Sequence, residues 1–175
     1  MALAAGVSPT YVVGDLDSIS ASDLATFAAA SLVRIEDQDS CDLEKALRFA
    51  VERGCRSVTI LGGLGRRWDH SLTTLSIAIR FALELRVRIA GPMGDIQSVS
   101  DRCEVRGRPG DTISLIAFAP ARGVSISGVK WALSDADIGP GSLGISNVLT
   151  SSAARVRVRE GCLLVCHLRT RRRPT

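Results

Sequence analysis

Aromatic side chains are scarce, four Phe, two Trp and one Tyr in 175 residues. That is too few to build the stacked platforms on which proteins hold single-stranded nucleic acid. Histidine is scarcer still. With His70 and His167 alone, a His-based zinc site has no ligand set. The five cysteines (Cys41, Cys55, Cys103, Cys162, Cys166) are odd in number and include no C-x-x-C pair. They read as reduced, mostly buried thiols of a cytoplasmic protein. No apolar run approaches the length of a membrane span, and Met1 to Gly6 is too short for a signal peptide. The expectation is a soluble protein with no membrane and no nucleic-acid partner. Internal repeats and low-complexity stretches are missing too. What remains is 46% hydrophobic and 23% charged, ordinary for a folded chain long enough to bury a real core. The net charge of +4 is mild. Arg155, Arg157, Arg159, Arg169 and Arg171 to Arg173 read as a solvated strand face and a frayed tail.

The segment Gly14-Asp15-Leu16-Asp17-Ser18-Ile19 follows the apolar run Tyr11 to Val13. The run reads as a strand, with the acids at its end. Two carboxylates at i and i+2 on an extended chain point the same way. Both can then face one cation, and paired anions persist where positive charge lies between them. Taken alone, D-x-D is more often a polar turn that caps the next helix. Here that helix is expected from Ser20 or Ser22 through Asp23 to Ala28. Leu3 to Ala5 followed by Gly6 reads as the last turn of an earlier helix, so a strand and most of a helix are expected upstream.

A second strand is expected at Leu32 to Ile35, ending in the acidic run Glu36 to Asp42. Asp39 or Ser40 caps a helix with Leu43, Ala46, Leu47 and Ala50 at helical spacing, ended by Gly54. Asp42 and Lys45 share a face of its first turn. They form either a surface ion pair or a metal-and-phosphate contact. A third strand, Ser57 to Leu61, runs into Gly62-Gly63-Leu64-Gly65-Arg66-Arg67-Trp68-Asp69-His70. Glycines there let backbone N–H groups approach a phosphate, and arginine adds forked donors. G-G-x-G alone is often only a tight turn. A helix from about Ser71 to Leu85 follows, with Leu72, Leu75, Ile79 and Leu83 on one side, and then a strand at Val87 to Ala90. Strands alternating with helices argue for a parallel sheet, whose strand ends share one ligand-binding edge. The three loaded loops are expected to converge there as a metal–nucleoside phosphate site.

After Gly91-Pro92 short β-rich runs separated by Gly and Pro turns suggest an antiparallel β-sandwich. Gly128-Val129-Lys130-Trp131 sets an aromatic beside a turn. Ser142-Leu143-Gly144-Ile145-Ser146-Asn147 gathers small polar groups that could hydrogen-bond a ligand. Composition alone leaves Trp131 in the core and Ser146 and Asn147 in a turn.

In order and spacing, GDLDSI, DQDSCDLEKAL, GGLGRRWDH, the G-x-K-W turn and S-x-G-x-SN resemble the thiamine pyrophosphokinase (thiamin diphosphokinase) family across nearly the whole chain. The resemblance implies an α/β fold. A parallel-sheet, Rossmann-like ATP-binding domain at 1–90 precedes an antiparallel β-sandwich at 91–175 that binds thiamine and forms a homodimer. It implies transfer of the diphosphoryl group of ATP, with Mg2+, to the hydroxyl of thiamine, releasing AMP. Carried over by motif, Asp15, Asp17 and Asp42 would hold the metal and act in catalysis with Lys45. Gln38, Asp39, Gly63, Gly65, Arg67, Asp69 and His70 would bind ATP, and Trp131, Ser146 and Asn147 thiamine. Departures from the pattern are an upstream A-D-G motif not found in this chain, Arg66 at a usual glycine, and Thr74 where Asn is common. The rival readings are a nucleotide- or thiamine-binding homologue without turnover, and another Mg2+-dependent phosphotransferase, including one with Asp15 as a phosphorylated nucleophile.

Overall fold

The computed structural model describes residues 6–17, 20, 22, 27, 29–65 and 67–170. All of the helix expected over Asp23 to Ala28 except Phe27, the turn at Leu3 to Ala5, Ser18, Ile19, Arg66 and the Arg171 to Arg173 tail lie outside them. The chain divides into two compact units, Met1–Cys55 and Arg56–Thr175.

In the first unit, β1 (Tyr11–Gly14) and β2 (Ser31–Arg34) pair in parallel, Tyr11 opposite Ser31 and Gly14 opposite Arg34. Helix α1 (Asp42–Glu52) packs on β1. Its spacing of apolar residues buries Leu47, and the Phe49 ring meets Tyr11 edge-on at 5.0 Å. The Arg53 guanidinium lies 5.0 and 4.9 Å from those two ring centres, a cation–π clamp on the contact. The expected caps Asp39 and Ser40 do not cap. Cys41 occupies the N-cap without a side-chain bond, while the Asp39 N–H and the Ser40 hydroxyl donate to Asp37 in the turn before the helix.

The second unit holds two sheets. One has the order β10-β7-β12-β5-β4-β3 and the other β6-β11-β8-β9. The first contains β3 (Ser57–Leu61), β4 (Arg86–Gly91), β5 (Gly94–Val99), β7 (Thr112–Ile116), β10 (Asn147–Val148) and β12 (Leu163–Leu168). The second contains β6 (Arg102–Arg106), β8 (Ala121–Ser127), β9 (Leu133–Ile138) and β11 (Ala153–Arg157). The larger sheet is mixed. β3 and β4 run parallel, and every other pairing in it is antiparallel. The architecture is therefore mixed α/β, mostly strands with few helices. The parallel pairing expected of the first half appears in two separate pairs.

One buried cluster draws Val99, Ile113, Leu115, Leu163 and Val165 from the larger sheet and Val105, Val124, Ile126, Ala154 and Val156 from the smaller. Helix α2 (Trp68–Arg80) begins three residues earlier than expected and ends sooner. It buries Thr74, Ile77 and Ala78, while Leu72 and Leu83 are 58% and 83% exposed. The segment is apolar around most of its circumference, so spacing alone could not say which stripe meets the sheet. The cysteines also depart from expectation. Cys166 is buried, but Cys41 and Cys55 are exposed.

Candidate functional site

β1 ends at Gly14, and the two acids after it do not continue the strand. Leu16 takes a left-handed conformation (φ 64°), and the Asp17 N–H donates to Asp15 Oδ1 at 3.1 Å. In this Asx turn the two carboxylates take different partners. Asp15 Oδ2 lies 3.9 Å from Lys45 Nζ, and Asp17 Oδ1 accepts from Arg34 at 3.4 Å. The extended-chain expectation for the pair is thus replaced by a turn. Lys45, 2% exposed, reaches from the first turn of α1 and also stands 3.8 Å from Asp42 Oδ1. Its ammonium bridges the two loops. Gly14 makes the approach possible: a Cβ there would sit 2.8 Å from Asp42 Oδ1 and 3.1 Å from its Cγ, so the Asp42 carboxylate occupies space that any other residue would fill. Among the described residues, no three His, Cys, Asp or Glu side chains gather closely enough to hold a metal on their own.

The rest of the acidic run is tied down locally. Gln38 Nε2 donates to the Glu36 carbonyl at 3.4 Å, and Asp39 is exposed. The sequence reading did not single out Asp37 and Arg48. Asp37 accepts from the Ser40 hydroxyl, the Asp39 N–H and Arg48, and the Ser40 bond above all lowers its pKa. Arg48 also pairs with Glu44. The i, i+4 spacing of Glu44 and Arg48 was the available signal.

In the second unit, the loop after β3 leads into α2. Arg67 grips Asp69 as a two-pronged fork, Nε to Oδ1 at 3.1 Å and a second nitrogen to Oδ2 at 2.5 Å. The His70 N–H adds a 2.9 Å bond to Oδ1. The fork chiefly, then this N–H, brings the Asp69 pKa down to about 2. The Gly65 N–H donates to Ser71 Oγ at 3.2 Å, and His70 is exposed. Gly63 serves packing: a Cβ there would lie 2.8 Å from Ile60 and 3.0 Å from Thr74. Thr74 is buried, its hydroxyl donating back to the His70 carbonyl at 2.8 Å.

Trp131 and Asn147 line a small pocket of about 140 Å³ with Leu115, Leu133, Leu143 and Ile145. The Asn147 amide clamps the Trp131 backbone, Nδ2 to its carbonyl at 2.7 Å and Oδ1 from its N–H at 3.0 Å. Ser146 adopts a left-handed conformation (φ 57°), and its N–H donates to Ser114 at 3.0 Å. The indole is 54% exposed, with Lys130 Nζ 4.6 Å from its centre.

Residues 2–90 match the family model "Thiamin pyrophosphokinase, catalytic domain", and residues 102–163 match "Thiamin pyrophosphokinase, vitamin B1 binding domain". Thiamin pyrophosphokinase 1 of Caenorhabditis elegans is 37% identical over 79 residues, covering 42% of this chain and 32% of its own length. Thiamine pyrophosphokinase 1 of rice (Oryza sativa subsp. japonica) is 25% identical over 173 residues, covering 85% of this chain and 62% of its own length. The chain thus spans less than two thirds of either relative. The crystal structure of thiamine pyrophosphokinase from Bacillus subtilis shares the fold, with a TM-score of 0.83 at 24% identity over 97% of this chain and 83% of that one.

Proposed function

The chain belongs to the thiamin pyrophosphokinase family, and from that premise we propose that it moves the diphosphoryl group of ATP onto the hydroxyl of thiamine and releases AMP. The observation that carries the reading is the match of two successive segments to the catalytic and vitamin-binding domains of one family. The proposal includes a Rossmann-like nucleotide domain at 1–90, a β-sandwich at 91–175, a homodimer, and a cytoplasmic setting in keeping with five free cysteines.

Asp15, Asp17 and Asp42 are the proposed Mg2+ ligands. Carboxylate oxygens open to solvent suit this ion, which takes one or two protein carboxylates and completes its shell with water and phosphate oxygens. The pocket above Gly14 that admits the Asp42 carboxylate supports the assignment. When bound, the ion supplies neutralising charge at phosphate oxygens. Lys45 holds a positive charge beside the same carboxylates, suited to a phosphate oxygen as negative charge develops. Gln38, Asp39, Gly63, Gly65, Arg67, Asp69 and His70 are the proposed contacts to ATP. The Arg67–Asp69 fork is largely exposed, so opening it costs little and frees a guanidinium for phosphate. Trp131, Ser146 and Asn147 are the proposed thiamine contacts. Lys130 already lies over the indole, and a cationic thiazolium ring could take that face for about 0.5–2 kcal/mol. Asn147 fixes the Trp131 backbone through its amide.

Incubation with ATP, Mg2+ and thiamine should yield AMP and thiamine diphosphate in equal amounts. Asp17→Asn should keep its circular dichroism and lose turnover about 100-fold or more. Failure of the wild-type chain to form AMP would overturn the kinase reading, and thiamine binding without AMP would move it to a ligand-binding homologue.

A further inference from the structure

A crevice of about 670 Å³ in the Arg56–Thr175 unit shares Ile126 and Leu133 with the small pocket beside Trp131 and takes none of the proposed metal, ATP or thiamine contacts into its lining. Strand register sets its chemistry. β6 and β11 bring Arg102 directly opposite Arg157, and β8 sets Ser125 on the other side of Arg157. Two residues along, Arg155 stands opposite Glu104 and beside Ser127. All six line the crevice. Glu104 answers Arg155 at 3.1 Å and Arg106 at 2.9 Å, so its charge is spent.

The Arg102–Arg157 row has no such answer. Like charges placed directly opposite each other on neighbouring strands repel. Among the described residues, Arg157 has no carboxylate partner, and neither does Arg86, which lines the crevice from β4. Arg102 has only Asp101 at 3.8 Å, both side chains at least three-quarters exposed, a pair worth little in water. The crevice therefore faces its contents with four guanidiniums and one committed carboxylate. Ser125 adds a hydroxyl whose oxygen already accepts from the Asp135 N–H at 3.0 Å, leaving its O–H to donate outward. Ile126 and Val156, which alternate with these residues, are 1% exposed and turn into the core, so half-buried Leu133 is the apolar side chain the crevice offers.

We propose that this crevice binds an organic phosphate, its phosphate group between Arg102, Arg157 and Arg86 and its apolar body against Leu133. Planar guanidiniums meet phosphate oxygens two at a time. An anion between Arg102 and Arg157 replaces repulsion by two attractions. The volume lies within the ~300–1,000 Å³ of small-molecule sites, more than inorganic phosphate would fill. The inference does not rest on the kinase reading, and its test omits ATP, Mg2+ and thiamine.

The probe is phenyl phosphate, followed by phosphorus NMR and by its effect on the thermal midpoint, with inorganic phosphate and benzyl alcohol as separate arms. Phenyl phosphate should bind one per chain, more tightly than either arm, and weaken as salt is added. Arg157→Gln should weaken it roughly tenfold, and Arg86→Gln/Arg157→Gln further. Both variants should keep the wild-type circular dichroism. Phenyl phosphate should raise the wild-type midpoint and leave that of Arg157→Gln nearly unmoved. Unchanged affinity in the double variant would overturn the proposal. So would inorganic phosphate binding as tightly as phenyl phosphate, or phenyl phosphate binding that vanishes in Arg67→Ala instead.

Discussion

Lys45 lies almost wholly inside the protein, its ammonium between Asp15 and Asp42. A buried cation persists only where it is paired, because leaving water otherwise costs too much. The spacing of Asp42 and Lys45 was plain in the sequence, and it allowed an idle surface pair as well as a working one. What spacing could not show is which side of α1 faces β1, and hence that Lys45 is enclosed and reaches Asp15 as well. Lys45→Met should keep the fold and lower turnover with ATP about 10²- to 10³-fold, measured as steady-state AMP release beside circular dichroism. Lys45→Arg should not rescue it, since a planar fork cannot replace a compact charge in a filled space. Asp17 teaches the complementary lesson. Its carboxylate was expected beside that of Asp15, but the left-handed Leu16 turns it to Arg34.

Strand β1 and helix α1 owe their closeness at the site to a missing side chain. Gly14 is buried with Asp42 packed over it. Gly14→Ala should push the Asp42 carboxylate away at a cost of about 1–3 kcal/mol, read from the urea midpoint. The Mg2+ concentration for half-maximal AMP release should rise by more than that loss of stability explains, and an unchanged Mg2+ requirement would remove Asp42 from the metal set. Strand positions were legible from their apolar runs: Tyr11 to Val13 and Ser57 to Leu61 lie in β1 and β3. The buried face of α2 was not. Leu72, Leu75, Ile77, Ala78 and Ile79 offer several apolar stripes, and the sheet beneath selects the one carrying Ile77 and Ala78.

Long-range ties close the Arg56–Thr175 unit. Asp111, 5% exposed, accepts from the N–H groups of Arg108 and Thr170 at 2.9 Å each, and its Oδ2 lies 2.9 Å from His167 Nε2. Burial pushes its pKa up, but those N–H donors and His167 outweigh it and hold the carboxyl well below the usual range. A carboxylate with a depressed pKa contributes its full share above the unfolded value of about 3.9 and loses it as pH falls toward the folded value. The thermal midpoint should therefore drop on acidification below about pH 4. Asp111→Asn should flatten that part of the profile and cost about 1–3 kcal/mol at pH 7. A profile identical to wild type would remove Asp111 from acid unfolding. Nothing in the sequence joins Asp111 to His167, 56 positions apart, because their meeting depends on β7 and β12 pairing in register. The same holds for Arg102 and Arg157. Alternation along each strand already put these arginines on the face away from the apolar residues, since successive side chains point opposite ways. Strand runs, loaded loops and family motifs were likewise local facts, settled by residue type and spacing. Which strands became neighbours, which stripe of α2 was covered and where Lys45 ended up depended on contacts between distant segments, and burial and charge balance are properties of those contacts.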